Sequence, residues 1–305
     1  MRKLVTLLAL LGFAITANSK QFIVPKQDDL KKFKQTKTIV FLENNATSVV
    51  NSILKETVEK YWKITPYEFM TYDKKAYDTL RTKSDLSFLT LGPTIIDKDK
   101  KITEYLYLYV TLGGDYTGVK EMPTIAAMPV SYDRSDESEF DYKISVIIRF
   151  IEKHITFLTE NPQIKKPKKA LKHYHANMKN VHNKTLYFTK DELVPALTTE
   201  PVPNKKPKEL DLDKIEAKIK VIYPHSIKIT DTDDIEKVVE NKDPKAAILH
   251  QVSPHQRKRA QARCWNIIFN ADTADMYFFS SFMIDKDKRP QGLSQKELKR
   301  LAKGK

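Results

Sequence analysis

The chain has 305 residues, enough for two ordinary domains, with 53 Lys and Arg against 39 Asp and Glu and a formal net charge of +14. That balance draws it toward anionic partners such as phosphorylated lipid headgroups, acidic glycans, peptidoglycan or nucleic acid. One cysteine, Cys264, excludes an intramolecular disulfide. Seven glycines, none of them between residues 119 and 291, exclude a phosphate-cradling nucleotide loop and a glycine-flanked nucleophile turn from the second half.

The chain opens with Met1-Arg2-Lys3, an apolar run over residues 4–17, and Asn18-Ser19-Lys20. A positive start, an apolar stretch and small residues two apart (Ala17, Ser19) read as a signal peptide over residues 1–19, cut before Lys20. The run is about 14 residues, short of the roughly 20 that span a bilayer as a helix. No cysteine follows it, so a lipid anchor is not expected. No later segment is apolar enough to span, because the best one, residues 140–158, carries Lys143, Arg149, Glu152, Lys153 and His154. The mature chain, at net charge +12 without Arg2 and Lys3, is therefore expected to be exported, periplasmic or extracellular, with peripheral attachment to the outer membrane as one option. In such a compartment a lone Cys264 inside an apolar stretch reads as buried. Asn45-Ala-Thr47 and Asn183-Lys-Thr185 fit the glycosylation acceptor pattern, which matters only in a eukaryotic secretory pathway. The lysine-rich, disulfide-free composition favours a bacterial envelope.

Residues 20–160 read as a first module. Lys37-Thr38-Ile39-Val40-Phe41 is a buried strand. A helix over 48–62 follows, with Val49, Ile53, Thr57 and Tyr61 on one face, then Pro66 and a strand at 68–70. A helix over 73–81 starts on an aspartate cap, and strands follow at 85–89, 108–115 and 124–130. Ile144, Ile147, Ile148, Ile151, Ile155 and Leu158 recur at helical spacing, so a closing helix over 140–158 buries one face. A basic connector, 161–183, leads to a second module over 184–305 that ends in a basic tail.

The second module repeats the first. Lys184-Thr185-Leu186-Tyr187-Phe188 resembles the first strand. A proline-rich insert, 195–207, delays the helix at 211–221, and both first helices run into a proline, Pro66 and Pro224. A strand at 226–228, an aspartate-capped helix at 231–239 and strands at 246–249, 265–272 and 277–284 follow. Matching 108–115 to 265–272 sets Gly113 against Asn270, two residues that tolerate a left-handed backbone. It also sets Tyr107 and Tyr109 against Cys264 and Asn266. The expected fold is α/β, with two tandem strand–helix–strand–helix–strand–strand modules built on mixed sheets and related by an internal duplication.

That element order resembles the small α/β modules of bacterial envelope proteins, the amino-terminal domain of TolB and the periplasmic domain of the curli-export lipoprotein among them. The resemblance is topological, and the lipobox and propeller repeats of those proteins are missing. It implies a periplasmic binding or assembly role.

Candidate chemistry is sparse. His173-Tyr-His175 and nearby His182 sit in a connector that looks helical, where residues two apart diverge, so no metal site is expected. His225, His250 and His255, with Asp231, Asp233 and Asp234, form no recognisable triad. Residues 96–100 and 284–288 lack the glycine and the final acid of a calcium loop. Tyr105, Tyr107 and Tyr109 alternate with Leu106, Leu108 and Val110, so their face either offers aromatic rings to a sugar or a protein or lies beneath the helix over 140–158. Gly113, Gly114 and Asp115 at the strand's end complete that candidate contact. Arg257, Lys258, Arg259, Lys299 and Arg300 are candidates for an anionic surface. Ser294 and Glu297 form a capping box for a final helix. Most lysines are spread along the chain and read as solvated surface. No cofactor and no nucleotide are expected. The expected function is a secreted or periplasmic non-enzymatic binding or assembly protein of the cell envelope, with a protein, a glycan or an anionic surface as partner. The alternative is a secreted hydrolase acting on a glycan or other anionic substrate with carboxylates from both modules.

Overall fold

Short runs rich in β-branched and aromatic residues, separated by capped amphipathic helices, force the chain into sheets with helices packed against them. The computed structural model describes residues 13–15, 22–45, 47–96, 104–132, 135–254, 262–284 and 289–304. It forms two units, Met1–Ala170 and Leu171–Lys305. Of the expected signal peptide over residues 1–19, residues 1–12 and 16–19 lie outside the described residues.

The first unit runs β1 (Phe13–Ile15), α1 (Gln27–Phe33), β2 (Lys37–Leu42), α2 (Val49–Tyr61), β3 (Tyr67–Thr71), α3 (Lys74–Leu80), β4 (Leu86–Ile96), β5 (Glu104–Leu112), β6 (Thr124–Tyr132) and α4 (Asp141–Glu160). Its sheet has the order β3-β2-β4-β5-β6. β2 lies parallel to β3 and β4, and β4, β5 and β6 are antiparallel. β1 adds a short parallel pairing to β4, Phe13 beside Thr94.

The second unit holds most of α5 (Pro167–Ala176), then β7 (Thr185–Phe188), α6 (Pro195–Thr198), β8 (Thr199–Glu200), β9 (Lys208–Glu209), α7 (Leu212–Lys220), β10 (Ile227–Ile229), α8 (Thr232–Glu240), β11 (Ala246–Val252), β12 (Arg263–Asn270), β13 (Met276–Met283) and α9 (Gln295–Lys303). Its main sheet has the order β10-β7-β11-β12-β13. β7 lies parallel to β10 and β11, and β11, β12 and β13 are antiparallel. This is the strand order and direction of the first sheet. The fold is therefore mixed α/β with two five-stranded mixed sheets of one topology. The proline-rich insert becomes α6 and the small β8–β9 pair.

Backbone pairing aligns the two sheets one residue away from the match of sequence letters. Gly113 N–H donates to Leu86 O at 2.9 Å, and Ala271 N–H donates to Ala246 O at 3.1 Å. At the first strand, Lys37 N–H donates to Asp85 O and Thr185 N–H to Lys245 O. Gly113 thus corresponds to Ala271, and Lys37 to Thr185. A one-residue slip exchanges the two faces of a strand. Tyr107 and Tyr109 accordingly correspond to Trp265 and Ile267, while Cys264 and Asn266 correspond to Leu106 and Leu108. Asn270 does not replace a turn glycine. Its side chain accepts from Asp272 N–H and Thr273 N–H and donates to Pro244 O and Ala246 O, tying the turn together.

The expected helices form with small shifts. Ser48, Asp73, Asp211, Asp231 and Ser294 each accept a backbone N–H at the start of a helix. On α2 the buried residues are Val50, Leu54, Thr57 and Val58, and Val49 is 51 % exposed. The apolar stripe is therefore not the one through Val49, Ile53 and Tyr61. On α4 all six expected apolar residues are fully buried. At about 2 kcal/mol for each such side chain, that burial fixes the helix on its unit. It buries more than one face, however, because Lys143, Arg149 and His154 are also buried. The Arg149 guanidinium lies 5.4 Å from the Tyr61 ring centre, and the His154 ring packs on Phe22 and Phe150. No helix among the described residues is long and apolar enough to cross a membrane.

Candidate functional site

The stretch over residues 161–190 carries eight lysines and three histidines and no carboxylate. Ala170, Tyr174, Met178 and Val181 recur at helical spacing and are buried, which turns Lys172 and His173 outward. After α5 the chain makes a short 3-10 helix, Met178–Asn183, that packs against α9. Met178 and Val181 share one core with Leu298 and Leu301 of α9.

α9 is built at both ends. Ser294 and Glu297 form a reciprocal capping box, and Gly304 ends the helix at φ +61°. A Cβ on Gly304 would lie 2.3 Å from Lys179 Cγ, so the helix terminates directly on the 3-10 segment. His182 Nε2 donates to Leu301 O at 2.7 Å, and His225 hydrogen-bonds the backbone of Ala302. The two imidazoles stack with ring centres 3.8 Å apart and planes 8° from parallel. They supply donors to the carbonyl end of α9, where unpaired acceptors and the negative end of the helix dipole lie. Burial, and then His182, hold the His225 pKa below its ordinary value.

With Leu298 and Leu301 inward, Lys299 and Lys303 stand outward and exposed. Arg300 lays its guanidinium 5.2 Å from the Phe278 ring centre, and His175 stacks on the same ring at 5.9 Å. The end of α5, the 3-10 segment and the last turns of α9 thus form one surface bearing Lys172, Lys179, Lys299, Arg300 and Lys303. Carboxylates of this unit pair elsewhere. The ion pairs Lys190–Glu209, Lys214–Asp211, Lys220–Glu216, Lys228–Asp234 and Lys237–Asp234 lie on α7, α8 and the segments leading into them. Among the described residues, no carboxylate pairs with Lys172, Lys179, Lys299 or Lys303. Lysines are spread over the unit, with Lys205, Lys206, Lys208, Lys214, Lys228 and Lys245 exposed on other elements, and these four are set apart by lying in and against a stretch without carboxylates.

The other sequence candidates fall elsewhere. Tyr105, Tyr107 and Tyr109 are 0, 5 and 1 % exposed, so they present no aromatic face to solvent. Tyr107 and Tyr109 stack on each other, and the Tyr109 hydroxyl shares a hydrogen bond with Thr94. Gly113 is required by packing, since a Cβ there would lie 2.2 Å from Lys83 O. Gly114 N–H donates to Arg81 O, and Asp115 is exposed beside them. Arg257, Lys258, Arg259 and His255 lie outside the described residues, as do 97–100 and 285–288 of the charged turns. His173 is exposed and His175 half-buried on α5, so the pair diverges as expected of a helix. Asp231 caps α8, and Asp234 accepts from Lys228 and Thr230.

Behind the basic face, the sheet carries a buried polar network. Gln251 donates to Asn266 Oδ1 and to Glu192 O. Asn266 donates to Gly292 O and Glu297 Oε2, and the Cys264 thiol lies 3.7 Å from Asn266 Oδ1. The corresponding first-unit residues, Leu91, Leu108 and Leu106, are apolar. This network anchors the start of α9, because Glu297 Oε2 also accepts from Ser294. Burial pushes the Cys264 thiol up to about 12, so it stays protonated and unreactive at neutral pH.

Among the described residues, no group of three or more His, Cys, Asp or Glu is arranged to hold a metal ion. No family model matches the chain, and no curated protein or solved structure matches it either.

Proposed function

We propose that the chain is an exported, non-enzymatic binding or assembly protein of the bacterial cell envelope. The carrying observation is the group of exposed lysines, Lys172, Lys179, Lys299 and Lys303, that pairs with no carboxylate among the described residues. It is backed by side chains whose hydrogen bonds are spent on holding α9 in place. The lone thiol is buried and protonated, and the stacked histidines are engaged with a helix end, so neither is presented as a nucleophile or base. The shared topology of the two sheets supports descent from one duplicated module, and the export signal at residues 1–19 supports the location.

Chemical cross-linking in intact envelopes, followed by purification of the chain, tests this reading. The expected result is specific recovery of envelope components, with no turnover when the pure protein meets panels of glycan and phosphoester substrates. Turnover of any such substrate, lost on replacing a carboxylate of this chain, would contradict it.

A further inference from the structure

We propose that the face formed by the end of α5, the 3-10 segment and α9 docks on the anionic headgroups of a phospholipid surface. The inference rests on the envelope reading above and names the partner of that same surface.

Three features of the face select the partner. Its charge is mostly lysine: Lys172, Lys179, Lys299 and Lys303 are exposed, with Arg300 half-buried over Phe278. Lysine is a compact, strongly hydrated point charge that suits diffuse attraction to many phosphates, whereas paired recognition of one phosphate favours the planar fork of arginine. The aromatic rings beneath the face are withdrawn, with Phe278 and Tyr223 at 0 % and Tyr174 at 8 % exposure. A binder of single-stranded nucleic acid or of sugars would present such rings for stacking.

The apolar side of α9 is also spent. Leu298 and Leu301 are fully buried in the core of the unit, so the helix has nothing to insert between acyl chains. What remains is a group of cations on a helix held in place by the capping box at one end of α9 and by the His182–His225 pair at the other. Such a group adsorbs to a negatively charged plane and releases as salt screens it. On α7 and its cap the acids are matched by lysines, with Lys214–Asp211 and Lys220–Glu216 paired, and on α8 and its cap five acids outnumber Lys237, so that side offers an anionic plane no net attraction.

Co-sedimentation of the full mature chain (residues 20–305) with vesicles tests the assignment. The vesicles contain about 30 % phosphatidylglycerol in phosphatidylcholine, with pure phosphatidylcholine as the comparison. Binding is expected to the anionic vesicles alone and should fall at least about tenfold between about 0.05 and 0.5 M salt. The triple variant K179E/K299E/K303E should lose binding by about tenfold or more. The variant K214E/K220E/K237E makes the same change in net charge on α7 and α8 and should retain most of the binding. Thermal unfolding of both variants establishes that they fold.

Equal loss in the two variants would overturn the assignment, because net charge alone would then explain adsorption. Absence of vesicle binding, with or without tight binding to a double-stranded DNA probe, would overturn it too. If vesicle binding fails while envelope cross-links persist, the surface assignment falls and the envelope reading stands. If the chain is never exported, the envelope reading falls independently of the vesicle result.

Discussion

His154 is the residue whose chemistry is most displaced by its surroundings. It lies on α4, fully enclosed by Phe22, Phe150 and neighbouring groups, and its Nε2 donates to Ile23 O at 2.9 Å. Desolvation is the main cause, and it lowers the imidazole pKa to about 4. The folded state therefore binds fewer protons here than the unfolded state, where the group titrates near 6.5. Its stabilising contribution is complete above pH 6.5 and is lost as pH falls toward 4, to an extent on the order of 3 kcal/mol. Urea midpoints should drop between pH 7 and pH 4.5, and H154F should flatten that part of the curve. A wild-type midpoint unchanged over this range would contradict the burial. Cys264 offers a second check at this scale. A maleimide should leave it unmodified in native protein and react after unfolding in urea, and fast native labelling would show that the thiol is neither buried nor protonated. Burial of Cys264 was legible, since it sits inside an apolar run. The His182–His225 stack was not, because its members are far apart in the chain and neither local sequence carries a metal or catalytic pattern.

Individual elements were legible where period and caps agree. α4, α9 and the aspartate-capped helices α3 and α8 form close to where spacing places them. Finer assignments failed where the local pattern fits more than one arrangement. On α2, the sets Val49–Ile53–Thr57 and Val50–Leu54–Val58 have the same spacing, so periodicity cannot choose between them. On β5 and β12 both faces are buried, so the alternation that normally fixes register is missing. The letter match of Gly113 with Asn270 was attractive in turn chemistry and wrong by one residue. Backbone pairing instead sets Gly113 against Ala271, two positions that differ in room for a side chain. Gly113→Ala should cost about 1–3 kcal/mol, because the added carbon meets the carbonyl of Lys83 and backbone must shift. Denaturant titration would read this directly, and an unchanged midpoint would show that the turn does not approach as closely as described. The tyrosine strand failed as a surface for the same reason: alternation distinguishes two faces but does not say which of them meets water.

At the scale of the molecule, the α/β class and the repeat of one element order were readable because they depend on many weak signals that agree. The sheets confirm that order with identical strand direction. The location of charge was harder to read. An acid-free stretch over residues 161–190 is plain in the sequence, but only the packing of the 3-10 segment on α9 adds Lys299 and Lys303 to it. Net charge alone distributes the attraction over the whole surface, whereas the acids of α7 and α8 match or outnumber their lysines and weaken it on that side. The proposed function depends on export and on one face.

Both are tested together by fractionating cells that make the chain and measuring its intact mass in each fraction. The account predicts a chain beginning at Lys20, recovered with membranes at low salt and released into the soluble fraction at high salt. A chain that retains residues 1–19 and stays in the cytoplasm at every salt concentration would contradict it.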